Sequence, residues 1–377
     1  MKLLIEGWFD IPHSYAIVNC FQIYALKKKF PDLALFKKET VLFKKEWENK
    51  RAVIFPKRYQ DVLESIPVHN GEKVDVIYRI SFPYNISPPS QDVPVVVFFT
   101  SEFRVLSKGY FTGGESSLGF HFVTPSEWNV LGLNYFPDAK CTVITHGVDP
   151  GLLYSDDTRE STRAFYGVKP DETLLMSIGS MTENKGVSLV LEALSILVKS
   201  GKKYKLLLKG TCDLYNSKEF VQGYFDKLVK QGKLTQTQVV YLYDCVLFVK
   251  DTLTFDLMRV LFNACDIYMA PYLAEGFSLT PLEAAACGCK IVLPETGSTS
   301  CYADAVGAFK VKSKVVCKNG FYFNEINVLD LVETTTTASE RPQGLSKVPY
   351  NLTWDFVAQE LMELFEHVRL KKTGLFY

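Results

Sequence analysis

Tyr268-Met269-Ala270-Pro271-Tyr272-Leu273-Ala274-Glu275-Gly276-Phe277-Ser278-Leu279-Thr280-Pro281-Leu282-Glu283 is the stretch that decides the fold. It opens as a short apolar strand over 266–270, passes through a loop carrying Glu275-Gly276, and enters a helix with Pro281 at its first position. A strand that leaves through a glycine loop into a helix is the unit from which helix-covered parallel sheets are built. Such sheets bind ligands beyond the carboxyl ends of their strands. Backbone N–H groups and the helix dipole at this exit suit a phosphate or diphosphate, and Gly276 lets the backbone come close to it. The spacing of Thr280 and Glu283 is also that of a capping box, so the same carboxylate has a purely local use.

The pattern repeats on both sides of this exit. Segments 174–178, 205–208, 239–242, 266–270 and 290–293 read as strands, with helical stretches between them. In the clearest helix, over 187–199, Val187, Val190, Leu191, Leu194, Leu197 and Val198 draw one apolar stripe. An N-terminal series of strands covers 2–5, 53–55, 74–78, 95–99, 121–123 and 142–144, each rich in Val, Ile and Phe and suited to burial on both faces. A helix from Ser14 to Lys29 follows the first of them and is stopped by Pro31. Residues 150–171 are polar and read as a linker, 334–350 as a loop, and 354–370 as a closing helix.

A chain of 377 residues is too long for one ordinary core. With 47% hydrophobic and 22% charged residues it has the composition of a soluble globular protein, and its zero formal charge gives no argument for nucleic acid. None of the nine cysteines has CxxC spacing, so reduced thiols in a cytoplasmic protein are expected. Met1 to Glu6 reads as a strand, not a signal peptide, and no run of ~18 apolar residues offers a spanning helix. The Asn-x-Ser/Thr tripeptides at Asn85 and Asn351 therefore carry no weight. Residues 27–58 hold eleven Lys or Arg against four Asp or Glu, interleaved with Phe and Leu. A solvated face accounts for this as well as attraction to an anionic membrane surface does.

Two further strand exits carry chemistry. Ile178-Gly179-Ser180-Met181-Thr182-Glu183-Asn184-Lys185-Gly186 brings an ammonium to the mouth of a helix. It is not a Walker A loop, since glycine follows the lysine, and the chain has no GxGxxG fingerprint. Taken alone, Lys185 is an ordinary surface lysine. In the N-terminal half, Gly7-Trp8, His13-Ser14, Thr100-Ser101-Glu102 and His146-Gly147-Val148-Asp149 all fall at strand exits and converge on one sheet edge.

Together these motifs resemble the retaining glycosyltransferases of family 4. Glu275 and Glu283, in AEGFSLTPLEAAACGCKIV, match that family's Glu-x7-Glu motif, and Ile178-Gly179 to Lys185-Gly186 resembles its phosphate segment. His146-Gly147-Val148-Asp149 is similar to its "HGVD" strand end, His13 to Asn19 to its "HSLAxVN" opening, and His121 to Trp128 to its "DxVxxPSxW". The likeness covers most of the chain, with 25–70 and 310–350 least matched.

The resemblance implies an α/β protein of the GT-B fold, two Rossmann-like doubly wound domains facing across a cleft. Residues 1–150 would form the acceptor-side domain, completed by the closing helix in 352–377, and 151–351 the domain that binds the nucleotide-sugar donor. Glu283 would hold the ribose hydroxyls, Glu275 would contact the transferred sugar, and the N–H groups of Gly276, Phe277, Ser278 and Leu279 would receive the diphosphate. Gly179 and Ser180 would line the same donor site, with Lys185 neutralising the diphosphate as the sugar leaves. Gly7, His13, Ser14, His121 and His146 would face the acceptor, and Glu102 would stand at a catalytic strand exit. Transfer with retention would proceed by front-face attack, a donor phosphate oxygen taking the acceptor proton. No metal or other cofactor is implied. The acceptor is open among glycan, lipid-linked and protein classes.

Three departures weigh against this picture. Ser180 stands where the family often has a phosphate-binding Arg, a loss worth ~10² or more in rate if nothing compensates. Thr100-Ser101-Glu102 replace a frequent His-Asp, and His121 replaces an Asp. A degenerate protein that binds a nucleotide sugar or glycan without turnover, and a GT-B nucleotide-sugar epimerase, are therefore the alternatives.

Overall fold

In the computed structural model, which describes every residue except 115, 117–118, 343–347 and 373–377, the chain divides into two units, Met1–Asp149 with Tyr350–Tyr377, and Pro150–Pro349. The first unit runs β1 (Lys2–Gly7), α1 (Ser14–Lys29), β2 (Ala34–Glu39), α2 (Lys57–Ser65), β3 (Val76–Ile80), the short β4 (Tyr84–Asn85), β5 (Val95–Phe98), the short β6 (Phe111–Thr112), β7 (Phe120–Thr124) and β8 (Lys140–Val143). Six of these make one parallel sheet in the order β2-β1-β3-β5-β7-β8. Leu3, Val76, Val96 and Phe122 are fully buried, as strands covered on both faces require.

The second strand of this sheet is not at 53–55, which is irregular; it is Ala34–Glu39. Edge strands tolerate lysine on their open side, and Lys37-Lys38 break the apolar run that marks a buried strand. The basic segment around it is largely engaged within the unit. Lys27 donates to the carbonyls of Pro31 and Leu33, Lys28 pairs with Asp355, and Lys29 reaches Tyr350 and Gln359. Lys38 pairs with Glu6, and Arg51 with Glu39 and Glu48.

The second unit runs α3 (Arg159–Phe165), β9 (Thr173–Ile178), α4 (Val187–Leu197), β10 (Tyr204–Lys209), α5 (Ser217–Lys230), α6 (Gln236–Cys245), β11 (Val246–Val249), α7 (Phe255–Ala264), β12 (Ile267–Met269), α8 (Leu279–Ala286), β13 (Lys290–Pro294), the one-turn α9 (Ser300–Ala303), β14 (Phe309–Val311), the hairpin strands β15 (Ser313–Lys318) and β16 (Phe321–Ile326), and α10 (Val328–Glu340). Its six-stranded sheet has the order β11-β10-β9-β12-β13-β14, parallel throughout. The stripe of α4 packs Val190, Leu191 and Leu194 on Leu206 and Leu208 of β10 and on Leu331 of α10.

Three expectations fail in this unit. Residues 239–242 are helical, in α6, and the strand is the next segment, Val246–Val249. Thr235 and Gln238 close a true capping box that starts the helix, overriding the strand preference of Val239-Val240-Tyr241. The 150–171 linker contains α3, whose Arg159 and Arg163 both pair with Asp266 beside β12. Thr334 to Thr337 are helical, in α10, because Leu331, Thr335 and Ala338 form a buried face. The hydroxyls of Thr335, Thr336 and Thr337 bond back to carbonyls four residues earlier. The rest of that predicted loop includes 343–347, outside the described residues.

The closing helix α11 (Trp354–Lys372) returns to the first unit. Trp354 stacks on Phe21 of α1 at 5.1 Å, and Val357, Ala358, Leu361 and Phe365 are fully buried. Gly147 is needed where the chain ends meet, since a Cβ there would lie 2.3 Å from the Thr353 carbonyl carbon.

Candidate functional site

β9 and β12 are neighbours from which the chain proceeds in opposite directions across the sheet. Loops leaving such a pair diverge and open a crevice at the carboxyl edge. The loop after β9 turns through Gly179 (φ 154°), Met181 (φ 58°) and Gly186 (φ 68°) before α4 begins. A side chain at 186 would place Cβ 2.1 Å from the Pro271 carbonyl oxygen, so only glycine lets this loop close on the one after β12. Asn184 fastens them: its carbonyl accepts the N–H groups of Leu273 and Ala274, and its Nδ2 donates to the Ala274 carbonyl at 3.1 Å.

This strapping brings Lys185 and Glu275 into a direct ion pair, with side chains only 17% and 12% exposed. Lys185 also lies 5.4 Å from the centre of the Tyr272 ring. It is therefore no ordinary surface lysine. The second oxygen of Glu275 accepts the Gly276 N–H at 3.2 Å, so cation, carboxylate and a loop N–H share one spot. An arriving phosphate has both a positive charge and an amide to compete for here.

The helix behind this loop starts earlier than its sequence implies. Its N-cap is Ser278, held at φ 68°, and Pro281 is its third residue. The Tyr302 hydroxyl donates to the Ser278 carbonyl at 3.0 Å while the ring packs on Phe277 at 5.0 Å. The Thr280–Glu283 capping box does not form: Thr280 instead accepts from the Tyr268 hydroxyl at 2.8 Å. Glu283 is buried, and desolvation pushes its carboxyl up to about 8. Among the described residues its carboxyl has neither hydrogen bond nor ion pair, which makes it an acid buried without a protein partner.

At the carboxyl edge of the first unit the structure gathers part of the predicted cluster. Gly7 ends β1 where a Cβ would lie 2.8 Å from the Ile80 carbonyl oxygen. His13 caps α1, its Nδ1 accepting the Tyr15 N–H, and its ring is packed among Trp8, Trp47 and Tyr15 at 5.1–5.7 Å. Burial lowers it to about 4, and Ser14 beside it is exposed. The Tyr15 hydroxyl lies 3.1 Å from Thr100 Oγ1, and the negative charge of Glu102 bears on it. His146 packs between Phe98 and Trp354, both 5.5 Å away, and burial lowers it to about 3. His121 is the exception. It is the second residue of β7, at the strand's amino end, where Thr142 Oγ1 lies 2.7 Å away; burial lowers it to about 4, helped by the nearby His367, Lys140 and Lys371. A single residue type in a matching string said nothing about which end of the strand it occupied.

Several supporting residues carried no sequence signal: Asn184, Tyr268, Tyr272, Tyr302, and Asn324 of β16, whose Nδ2 donates to the Tyr272 carbonyl at 2.9 Å. Among the described residues no three His, Cys, Asp or Glu side chains group as a metal would need, and no helix is long and apolar enough to cross a membrane.

The segment bearing this site matches a known family. Residues 158–335 match the glycosyl transferases group 1 family. The lipopolysaccharide core biosynthesis mannosyltransferase LpcC of Rhizobium leguminosarum bv. viciae is 27% identical over 49% of this chain and 48% of its own length. A D-inositol 3-phosphate glycosyltransferase of Paenarthrobacter aurescens is 26% identical over 47% of this chain and 40% of its own. The chain thus spans about half or less of these curated relatives. Among solved structures, a sucrose-phosphate synthase of Thermosynechococcus elongatus covers 98% of this chain and 99% of its own at 14% identity and a TM-score of 0.67. HepE of Anabaena, in complex with UDP and glucose, covers 97% and 99% at 14% identity and a TM-score of 0.64. At such identity the likeness establishes the fold: α/β, with two Rossmann-like parallel-sheet units, of the GT-B type. The matched segment contains both loops of the crevice, from Gly179 to Glu283.

Proposed function

We propose that the chain transfers a hexosyl group from a nucleotide-diphosphate-sugar to an acceptor, with retention of configuration and without a metal ion. The observation that carries this reading is the Lys185–Glu275 pair at the switch point of the segment that matches the group 1 family, with the unpartnered carboxyl of Glu283 in the helix that follows. In the proposed complex the diphosphate takes the place of Glu275 at Lys185 and at the Gly276 N–H. That frees Glu275 toward the sugar, and Glu283 receives the ribose hydroxyls. As the glycosidic bond breaks, charge grows on the leaving diphosphate, and fixed positive charge there stabilises the transition state most. Relatives that are mannosyltransferases and inositol-phosphate glycosyltransferases support a sugar donor, and the UDP held by HepE supports a nucleotide.

The acceptor would meet the aromatic edge of the first unit, near His13, Ser14 and Glu102. With His13 and His146 lowered to about 4 and 3, neither is a ready base at neutral pH, which suits a donor phosphate oxygen as the proton's destination. A membrane surface is the less supported partner, because most cations of 27–58 are engaged within the first unit.

The test is a donor screen. Purified protein is incubated with UDP-, GDP-, ADP- and dTDP-sugars with and without EDTA, following thermal shift and nucleotide release. One donor should stabilise the protein and release its nucleotide slowly, unaffected by EDTA, and Lys185→Met should lose ~10² or more of that release. Stabilisation without release, with any acceptor supplied, would instead make this a degenerate binder, the outcome that Ser180 favours. Its hydroxyl is 2.8 Å from Thr182 Oγ1 and supplies no charge.

A further inference from the structure

Lys209 is the last residue of β10 and lies at the same carboxyl edge. The residue is 7% exposed, a depth at which lysine is seldom found without a carboxylate. Among the described residues no hydrogen bond or ion pair engages its ammonium. Burial depresses its proton affinity, and the exposed Asp213 and Asp251, with Cys212, act on it only at longer range. Leaving a cation in this state costs stability unless a ligand completes it.

The backbone around it directs attention to the crevice. The Lys209 carbonyl accepts the Gly179 N–H at 3.1 Å, and the Lys185 stem lies 3.6 Å from where a Gly179 Cβ would stand. Two lysines thus flank one glycine turn, the first by its backbone and the second by its side chain. Strand register fixes the face. Leu207 pairs with Met176 and Met176 with Tyr268, so Ile178 and its partner Lys209, two residues on, share the face of Tyr268. Tyr268 donates to Thr280 in the first turn of α8 on that face. Leu206 and Leu208 turn the other way, into the core with α4. Ser217 locks the exit, its Oγ accepting from Thr211 N and donating to the Ser180 carbonyl, both at 3.0 Å.

We propose that Lys209 is a second cationic ligand of the donor, its ammonium donating to a phosphate oxygen of the bound nucleotide diphosphate. This rests on the nucleotide-sugar reading of the crevice. It also supplies charge to a loop whose Ser180 has none.

The experiment is calorimetric titration of the whole chain with UDP, GDP, ADP and dTDP, then with the monophosphate and nucleoside of whichever binds. In Lys209→Met the diphosphate should bind tenfold or more weakly, the monophosphate should lose less, and the nucleoside nothing. Lys209→Arg should keep most of the affinity. The ligand-free melting temperature of Lys209→Met should hold or rise, since an unpaired charge has left the interior. A structural lysine would behave oppositely, melting lower with affinity intact, and that result overturns the proposal. Equal losses for diphosphate and nucleoside also overturn it, moving Lys209 to the base. If Lys209→Met does not fold, Lys209→Gln carries the same comparison. Wild-type protein that binds none of the four diphosphates would sink the donor reading itself. Wild-type binding with an indifferent Lys209→Met would sink this inference alone.

Discussion

Glu283 has two readings in the sequence, and the structure removes the local one. Its spacing from Thr280 reads as a capping box, yet the structure leaves its carboxyl buried and raised to about 8, above its ordinary 4.5. Between those values the folded protein keeps a proton that the unfolded chain releases, so stability must fall as pH rises through that window. Glu283→Gln removes this liability. Urea unfolding at pH 5, 6.5 and 8 should find the variant gaining on the parent as pH rises, by about 1 kcal/mol or more at pH 8. If Glu283 receives the ribose as proposed, nucleotide diphosphate should bind more weakly, because one amide oxygen replaces two carboxylate oxygens. A variant that is less stable at every pH but binds as before would return Glu283 to a local structural role. Lys185, taken alone, reads as an ordinary surface lysine. Its neighbour in sequence is glycine, but its partner Glu275 is ninety residues away, and no local pattern carries a contact of that range.

At the scale of elements, the two loops were legible because glycine and helix starts punctuate them, and the strands flanking them because both faces are buried. What failed was short and context-bound. The run Val239-Val240-Tyr241-Leu242 has strand propensity and becomes helix because Thr235 caps it. Ala34–Glu39 lies in the lysine-rich stretch, lacks an apolar run, and becomes an edge strand because β1 offers it a free ladder. Closure of the two site loops depends on Gly186. Alanine there incurs left-handed strain of about 1–2 kcal/mol and a clash with the backbone of Pro271 that a side-chain rotation cannot relieve. Gly186→Ala should destabilise by roughly 2–4 kcal/mol and, by separating Lys185 from Glu275, abolish nucleotide binding. Gly201 is the control, with φ 84° and open space around a would-be Cβ. Gly201→Ala should show the strain alone and bind normally. Equal behaviour of the two variants in chemical denaturation and titration would show that loop closure does not matter.

On the scale of the whole molecule, the fold was readable because alternating strand and helix in each half leaves few arrangements. The return of the last helix was less so. Phe356, Leu361, Leu364 and Phe365 announce an amphipathic helix, but amphipathicity does not say which core receives it, and only the likeness to a family suggested the answer. The structure gives a physical one: Trp354 lies flat on Phe21, and Val148 and Thr353 pair as a backbone bridge that requires Gly147. Complete burial of Trp354, Val357, Leu361 and Phe365 is worth about 1.5–3 kcal/mol each. Their sum is comparable with the ~5–15 kcal/mol that holds a typical domain together. Ending the chain after Pro349 should therefore unfold the first unit while sparing the second, whose core of β9, β10, α4 and α10 owes nothing to that helix. Limited proteolysis of the shortened chain should leave one resistant fragment close to 150–349, and that fragment should still bind nucleotide diphosphate through Lys185 and Glu283. A shortened chain that resists digestion over its full length would mean that the first unit completes its core without α11. A digest with no resistant fragment would mean that the second unit depends on the first for its folding.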